Sequence, residues 1–337
     1  MKLLRNTLDW MAFGVSALVH AWTGKTPTAG HEALIRLFCA SGGRSNDLIS
    51  QLLSWRGISK PLAGPSVLGD INQGESRRIA RVIDERGYYV FPQRLPMEMC
   101  DRLLQYGLHH PCEVREEVSD SRASQVRTFA SDRRNPAGVR YDFAAADLLA
   151  NEDVQVLLCD PSLIAVSQAY LRTTPIADVL GMWWHTAYSD TPSAAAAQLY
   201  HFDMDRIKWL KFFIYLTDVG PDNGPHSFVA GSHRADGIPR ALLSKGYARL
   251  TDDEVRKYYC AEDIVEFADV RGTVIVEDTR GLHKGKHVAA GDRLMLQLQF
   301  SNSLFGGFYQ PAKLPREIIP QLRYAIAENP AAYKNYF

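Results

Sequence analysis

"QLYHFDMDRIKWLKFFIYLTDV", residues 198–219, sets His201, Asp203 and Asp205 at alternate positions just ahead of a strongly apolar run. Side chains at i and i+2 of a strand point to the same face. His201 and Asp203 therefore converge on one point if this stretch is extended, as two ligands of one ion must. A strand built only for packing has no use for such groups at its edge. Asp205 reads differently, as a solvated partner of Arg206 or Lys208 rather than a further ligand.

A metal site needs at least a third ligand, and "GTVIVEDTRGLHKGKHVAAGDRLMLQLQF" (residues 272–300) offers His283 and His287 ahead of Arg293. Their parity relative to Arg293 is the same, so alternation does not choose between them. The local chain does: His283 directly follows the strand "GTVIVED" and a short link, whereas His287 lies between Gly285 and a flexible "AAGD" turn. A ligand is better preorganised in the first setting. Two histidines and one carboxylate leave open positions on an octahedral ion, which suits non-haem Fe(II) and its use of O₂. Along "RLMLQLQF", Arg293, Met295, Gln297 and Gln299 share one face and Leu294, Leu296, Leu298 and Phe300 the other. Arg293 thus stands on the inner, site-facing side. There it needs an anionic partner, and the far carboxylate of a 2-oxo diacid would serve, since an arginine fork grips a carboxylate at two points.

In these segments the chain resembles the phytanoyl-CoA dioxygenase family of Fe(II)/2-oxoglutarate-dependent oxygenases. The resemblance rests on the ordered set of Gln198, His201-x-Asp203, the strand "LKFFIYLTDV", the turn "NGPHSFVAGSHR" (223–234), His283 and Arg293, ten residues beyond His283. Upstream, "IDERGYYVFPQRLPMEMCDRLL" resembles the start of the family core, so the likeness spans roughly residues 76–310. It implies a double-stranded β-helix, a cupin-like jelly roll braced by helices. It implies Fe(II) on His201, Asp203 and His283, 2-oxoglutarate on Arg293 with Gln198 nearby, and O₂ as oxidant. Hydroxylation of a C–H bond in a small or amphipathic organic substrate, with release of succinate and CO₂, is the implied reaction. An intact Asp203 argues against halogenation, because a halide would need its coordination position. Two departures are visible: Gly285 and His287 stand where the family often has a serine or threonine, and Pro225-His226 replaces the common NGP-L. His287 is one candidate to complete the cosubstrate pocket.

The remainder of the chain agrees with a mainly β core bracketed by helices. Residues 1–57 read as helical with a break at Gly42-Gly43, and the Pro/Gly-rich stretch 59–76 reads as a linker. A helix stopped by Gly87, a strand at 88–91 and a helix from about Pro96 follow, then two helices in 145–171 split at Asp160-Pro161. Beyond them come strands separated by Gly, Pro, Asn and Asp clusters, interrupted by a helical insertion at 240–260. The expected division is a helical extension and linker (1–75), the oxygenase domain (76–310) and a helical tail (311–337). Lys plus Arg (38) equals Asp plus Glu (38), so no global basic field points to nucleic acid. Five scattered cysteines without a CxxC pair argue against a disulfide framework and fit a reducing, cytoplasmic setting.

Near the N-terminus, Leu4, Leu8, Met11, Val15, Leu18 and Trp22 recur at helical spacing. Asp9 and His20 interrupt any membrane span. The stripe is expected to pack on the core or on a neighbouring subunit, with membrane-surface contact not favoured; the oligomeric state is not readable. Trp183 and Trp184 are expected in the core, and Arg134 and Arg140 in salt bridges or at an acidic substrate. Two other classes fit parts of the pattern: a 2-oxoglutarate oxygenase performing desaturation or cyclisation, and a non-catalytic or non-iron cupin-like binding protein or isomerase.

Overall fold

A computed structural model describes residues 2–115, 125–310 and 312–337; Pro311 and the side chain of Leu4 lie outside what it describes. Helices α1 (Lys2–Thr23), α2 (Thr28–Ser41), α3 (Arg44–Ser54) and α4 (Gln73–Arg86) precede the first strand. The strands are β1 (Tyr88–Val90), β2 (Pro111–Arg115), β3 (Gln125–Thr128), β4 (Arg140–Asp142), β5 (Ile176–Thr186) and β6 (Trp209–Tyr215). They continue as β7 (His226–Val229), β8 (Ile264–Phe267), β9 (Val274–Glu277), β10 (His283–Gly285) and β11 (Asp292–Ser301).

Eight strands form one sheet in the order β1-β9-β6-β11-β5-β4-β2-β3, and β10-β7-β8 form a second. Every pairing is antiparallel. This is the jelly-roll architecture expected, with helices covering one face of the large sheet. Alternation assigns the two faces of that sheet. Leu294, Leu296, Leu298 and Phe300 of β11, with Leu210, Phe212 and Ile214 of β6, enter the core shared with the helices. Met295 of β11, with Phe213 and Tyr215 of β6, faces Phe228 and Phe267 of the small sheet in a second core.

The approach to β1 shows how local sequence sets the frame. Asn72 caps α4 by accepting from the Glu75 N–H, a standard way to satisfy a free amide at a helix start. Gly87 ends α4 at φ 90°, a left-handed conformation that glycine adopts without steric cost. A Cβ there would also lie 2.6 Å from the Phe228 ring. Chain reversal and close sheet packing therefore both require glycine at 87.

Several elements differ from expectation. The segment 145–171 holds three helices, because Asn151 caps a new one at Glu152–Leu158 by accepting from the Val154 N–H. The insertion at 240–260 carries only two short helices, Arg240–Leu243 and Asp252–Arg256. Strands β2, β3 and β4 widen the large sheet and were not anticipated; they are short and carry charged residues, so their alternation is weak. One face of α1 is not packed as expected: Met11, Val15, Leu18 and Trp22 are exposed. Its opposite face, through Phe13 and Ala17, is the one that meets the third core cluster. All five cysteines are unpaired.

Candidate metal centre

His201 does not sit in a long strand. It forms an isolated antiparallel bridge with His283, closed by His201 N–H to His283 O (3.0 Å) and His283 N–H to His201 O (2.8 Å). The segment then turns, and Asp203 is pinned by its own N–H on Thr279 O at 2.7 Å. Backbone pairing thus brings together two side chains that lie 82 residues apart in sequence. The imidazole centroids are 4.3 Å apart. Asp203 Oδ1 lies 3.6 Å from His201 Nε2, and Asp203 Oδ2 lies 3.4 Å from His283 Nε2.

Among the described residues, His201, Asp203 and His283 form the one group of three such donors gathered within 4.8 Å of one another, and all three are buried. Each histidine has its Nδ1 against a backbone carbonyl: His201 on Leu199 O at 2.9 Å and His283 on Gly281 O at 3.0 Å. An Nδ1–H donated there leaves both Nε2 lone pairs free to ligate, which is how outer contacts fix the ligating tautomer. Burial, then the charge of neighbouring His283, holds His201 well below the usual imidazole range, so it stays neutral. Burial alone would raise the Asp203 carboxyl. Lys211 and the two histidines overcome that and hold it well below the usual carboxylate range. Two imidazole nitrogens and one carboxylate fit a divalent octahedral ion with open positions.

Lys211 went unrecognised as part of this cluster. Its Nζ lies 2.6 Å from Asp203 Oδ2 and 2.8 Å from Asp205 Oδ2. The available signal was parity, since Lys211 shares the inward face of β6 with Phe213 and Tyr215. Asp205 is accordingly not a solvated partner of Arg206 or Lys208. It is buried, bridged to Lys211 and bonded by the Tyr309 hydroxyl, while Arg206 makes a two-point pair with Asp178.

The cluster opens into a cavity of about 730 Å³ between the sheets, within the size range of small-molecule sites. Arg293 lines it and is wholly buried. Its Nη2 donates to His185 Nδ1 at 2.6 Å, but Nε and Nη1 have no partner among the described residues. Burial brings its pKa down to about 10, so the guanidinium is still a cation at neutral pH. A buried cation with open donors is costly and calls for an anion. A carboxylate of 2-oxoglutarate would supply one, and the residues present fit both iron and cosubstrate. Gly285 leaves the space: a Cβ there would stand 3.0 Å from Arg293 Nη2.

The other sequence candidates are distributed unevenly. Gln198 is buried with Oε1 accepting from Ser193 N–H at 2.7 Å, and it is not among the residues lining the cavity. His287 is half-buried, its Nδ1 3.5 Å from Gln198 Oε1, and likewise does not line the cavity. His226 does line it; its Nε2 meets Glu277 Oε2 at 2.9 Å, with Glu277 pushed up to about 8 by burial. Trp184 is core, stacked on Phe129. Trp183 faces the cavity beneath Arg140, whose guanidinium lies 4.3 Å from the ring centre. Arg134 is exposed and does not line it.

A jelly roll that gathers two histidines, a carboxylate and a half-partnered arginine in one cavity has the donor set of a mononuclear metal oxygenase. Residues 83–293 match the phytanoyl-CoA dioxygenase (PhyH) family, and the chain belongs to that family. It is therefore a 2-oxoglutarate-dependent non-haem iron enzyme, using Fe(II), 2-oxoglutarate and O₂. Among curated proteins, none matches the sequence.

The solved structures to which the chain is similar match it at low identity. The non-haem α-ketoglutarate-dependent epimerase SnoN from nogalamycin biosynthesis is 16% identical, with 68% of this chain and 84% of that chain covered, at a TM-score of 0.47. The carbocyclase SnoK from the same biosynthesis is 16% identical, covering 71% and 87%, at 0.45. HygX from Streptomyces hygroscopicus, solved with nickel and 2-oxoglutarate bound, is 15% identical, covering 72% and 94%, at 0.48.

Proposed function

We propose that the chain hydroxylates a C–H bond of a small organic substrate, with Fe(II) held by His201, Asp203 and His283 and the far carboxylate of 2-oxoglutarate held by Arg293. The observation that carries this reading is the buried, half-partnered Arg293 guanidinium lining the same cavity as the three-donor cluster. Iron, with the 2-oxo acid and O₂, supplies the oxidising power. One oxygen atom of O₂ leaves in succinate, formed with CO₂, and the other enters the C–H bond as hydroxyl. The chain's own part is to hold and to exclude. Lys211 fixes the Asp203 carboxylate from behind, and the backbone bridge between His201 and His283 fixes both imidazoles. Phe213, Trp183 and Met295 give the inner wall an apolar surface that limits water. A carboxylate at 203 leaves no coordination position for a halide, which supports hydroxylation over halogenation. Desaturation and cyclisation would use the same ligands.

Anaerobic addition of Fe(II) and 2-oxoglutarate to the purified protein should develop a weak visible charge-transfer band. A non-iron jelly roll would give none. After admission of O₂, mass spectrometry of candidate substrates should find a product heavier by one oxygen. A product lighter by two hydrogens would show desaturation or ring closure and overturn the hydroxylase assignment.

A further inference from the structure

Beside the metal cluster, the large sheet carries a row of basic side chains, of which the proposed chemistry uses only Arg293. Arg115 of β2 is the register partner of Arg140 of β4. Arg140 pairs with His185 of β5, and His185 pairs with Arg293 of β11. The row crosses four adjacent strands, and all four side chains line the cavity. Like charges directly across a sheet repel, so such a row persists only with anions to match it.

The matching is incomplete. Asp142 is shared, with Oδ2 2.6 Å from Arg115 Nε and Oδ1 2.7 Å from Arg140 Nη2. Arg140 Nε also donates to Oδ1 at 2.8 Å. No partner for Arg140 Nη1 exists among the described residues. The side chain is 16% exposed, so Nη1 keeps some access to solvent and is open to a ligand entering the cavity. Burial accordingly acts to lower its pKa.

Among the described residues that line the cavity, the cations are Arg115, Arg140, Lys211, Arg249 and Arg293. The carboxylates are Glu113, Asp142, Asp203 and Asp205. Glu113 is exposed at the rim and makes no ion pair among the described residues. Iron(II) and the 2-oxoglutarate dianion cancel each other. Five cations against four carboxylates therefore leave the described lining of the loaded site with one unmatched positive charge. Neighbouring strands lie about 4.8 Å apart, so Arg140 stands roughly 10 Å from Arg293 across β5. It is thus separate from the cosubstrate anchor, with the neutral His185 between them.

From this placement we propose that the substrate carries one anionic group, a carboxylate or a phosphate ester, seated on the Arg140 guanidinium and backed by Arg115. The proposal deepens the hydroxylase reading and rests on it for the word substrate. The binding site itself stands on the residues alone.

The test uses the full chain loaded with Fe(II) and 2-oxoglutarate without O₂, titrated calorimetrically with hexanoate, hexyl phosphate and 1-hexanol. At least one anion should bind, with hexanol tenfold weaker or worse; the better anion tells carboxylate from phosphate. Arg140→Gln should weaken the anion by tenfold or more while the charge-transfer titration of 2-oxoglutarate moves by less than twofold. Arg140→Lys should recover part of the loss. Arg115→Gln, at a position whose side chain is 54% exposed, should fold normally by circular dichroism and cost a smaller factor. Equal binding of hexanol, no binding of either anion, or an Arg140→Gln variant that loses 2-oxoglutarate instead would each overturn the proposal. If the wild type showed no charge-transfer band yet bound the anion through Arg140, the oxygenase reading would fall and the anion site would stand.

Discussion

Asp203 is held by the Lys211 ammonium on one side and, in the proposed site, by the iron it would share with His201 and His283 on the other. Its replacement by alanine removes a charged ligand and leaves Lys211 with Asp205 alone. Asp203→Ala is expected to lose iron to background by metal analysis and to form no product, and full turnover by the purified variant would refute the ligand assignment. Arg293 makes a different test, because it touches no proposed ligand. Arg293→Leu should keep iron but lose a buried ion pair with 2-oxoglutarate, on the order of 2–5 kcal/mol. At about 1.4 kcal/mol per decade, cosubstrate affinity should fall tenfold or more in the charge-transfer titration. Unchanged affinity would move the anchor elsewhere, yet the alternatives are already engaged. Lys211 is paired with Asp203 and Asp205, and Lys284 with Asp252 at 2.5 Å. These residues were legible in sequence because each is chemically conspicuous in an apolar strand context. Lys211, His226 and Arg115 were not, since a lone cation or histidine has many ordinary uses and only the fold reveals what it faces.

Strand β10 is three residues long, yet it favours one of the two downstream histidines as the proposed ligand. His283 lies on it, bridged to His201, whereas His287 has left the sheet and approaches only Gln198. His283→Ala should abolish iron binding, and His287→Ala should retain it with succinate formation largely intact; metal content and succinate yield check both, and the reverse pattern would transfer the ligand to 287. The same strand supports a subtler test. Gly285→Ala would place a Cβ against the Arg293 guanidinium, which is buried on every side and has little room to yield. Cosubstrate affinity should weaken severalfold in the charge-transfer titration with iron content unchanged, and wild-type affinity would show that Arg293 can shift. Alternation along β11 was readable from sequence because ten residues give the period room to repeat. The segment around His201 was only half readable. Its side chains converge as a strand would have them, but through a single bridge and a turn, since Asp203 bonds Thr279 rather than a ladder partner. Register was not readable at all. The row from Arg115 to Arg293 depends on pairing between strands far apart in the chain, and no local pattern encodes it.

At the scale of the whole molecule, the helices before residue 57 divide into two kinds. Leu34 and Phe38 of α2 and Ile49 of α3 are buried in one cluster with Phe202 and Met204, the residues that flank Asp203. Asn46 Nδ2 donates to Ile207 O at 2.9 Å, and Asp47 meets the buried Arg280 at 2.8 Å. Helices α2 and α3 thus form the floor on which the segment around Asp203 rests. Three large apolar side chains contribute roughly 5–9 kcal/mol by burial, comparable with the 5–15 kcal/mol that stabilises a typical domain. Helix α1 is different, holding on through Phe13 against Phe305, at 5.0 Å between centroids, and through Asp9 with Arg36 at 2.8 Å. Composition and periodicity marked all three helices as helical but could not rank them, because burial is a property of the partner surface. Removing residues 1–25 should therefore lower the melting temperature yet preserve iron and 2-oxoglutarate binding. Removing residues 1–57 should abolish both, with loss of the cooperative thermal transition. If the longer deletion kept a cooperative transition and bound iron normally, the segment around Asp203 would be self-supporting and the bracing role of α2 and α3 would be wrong.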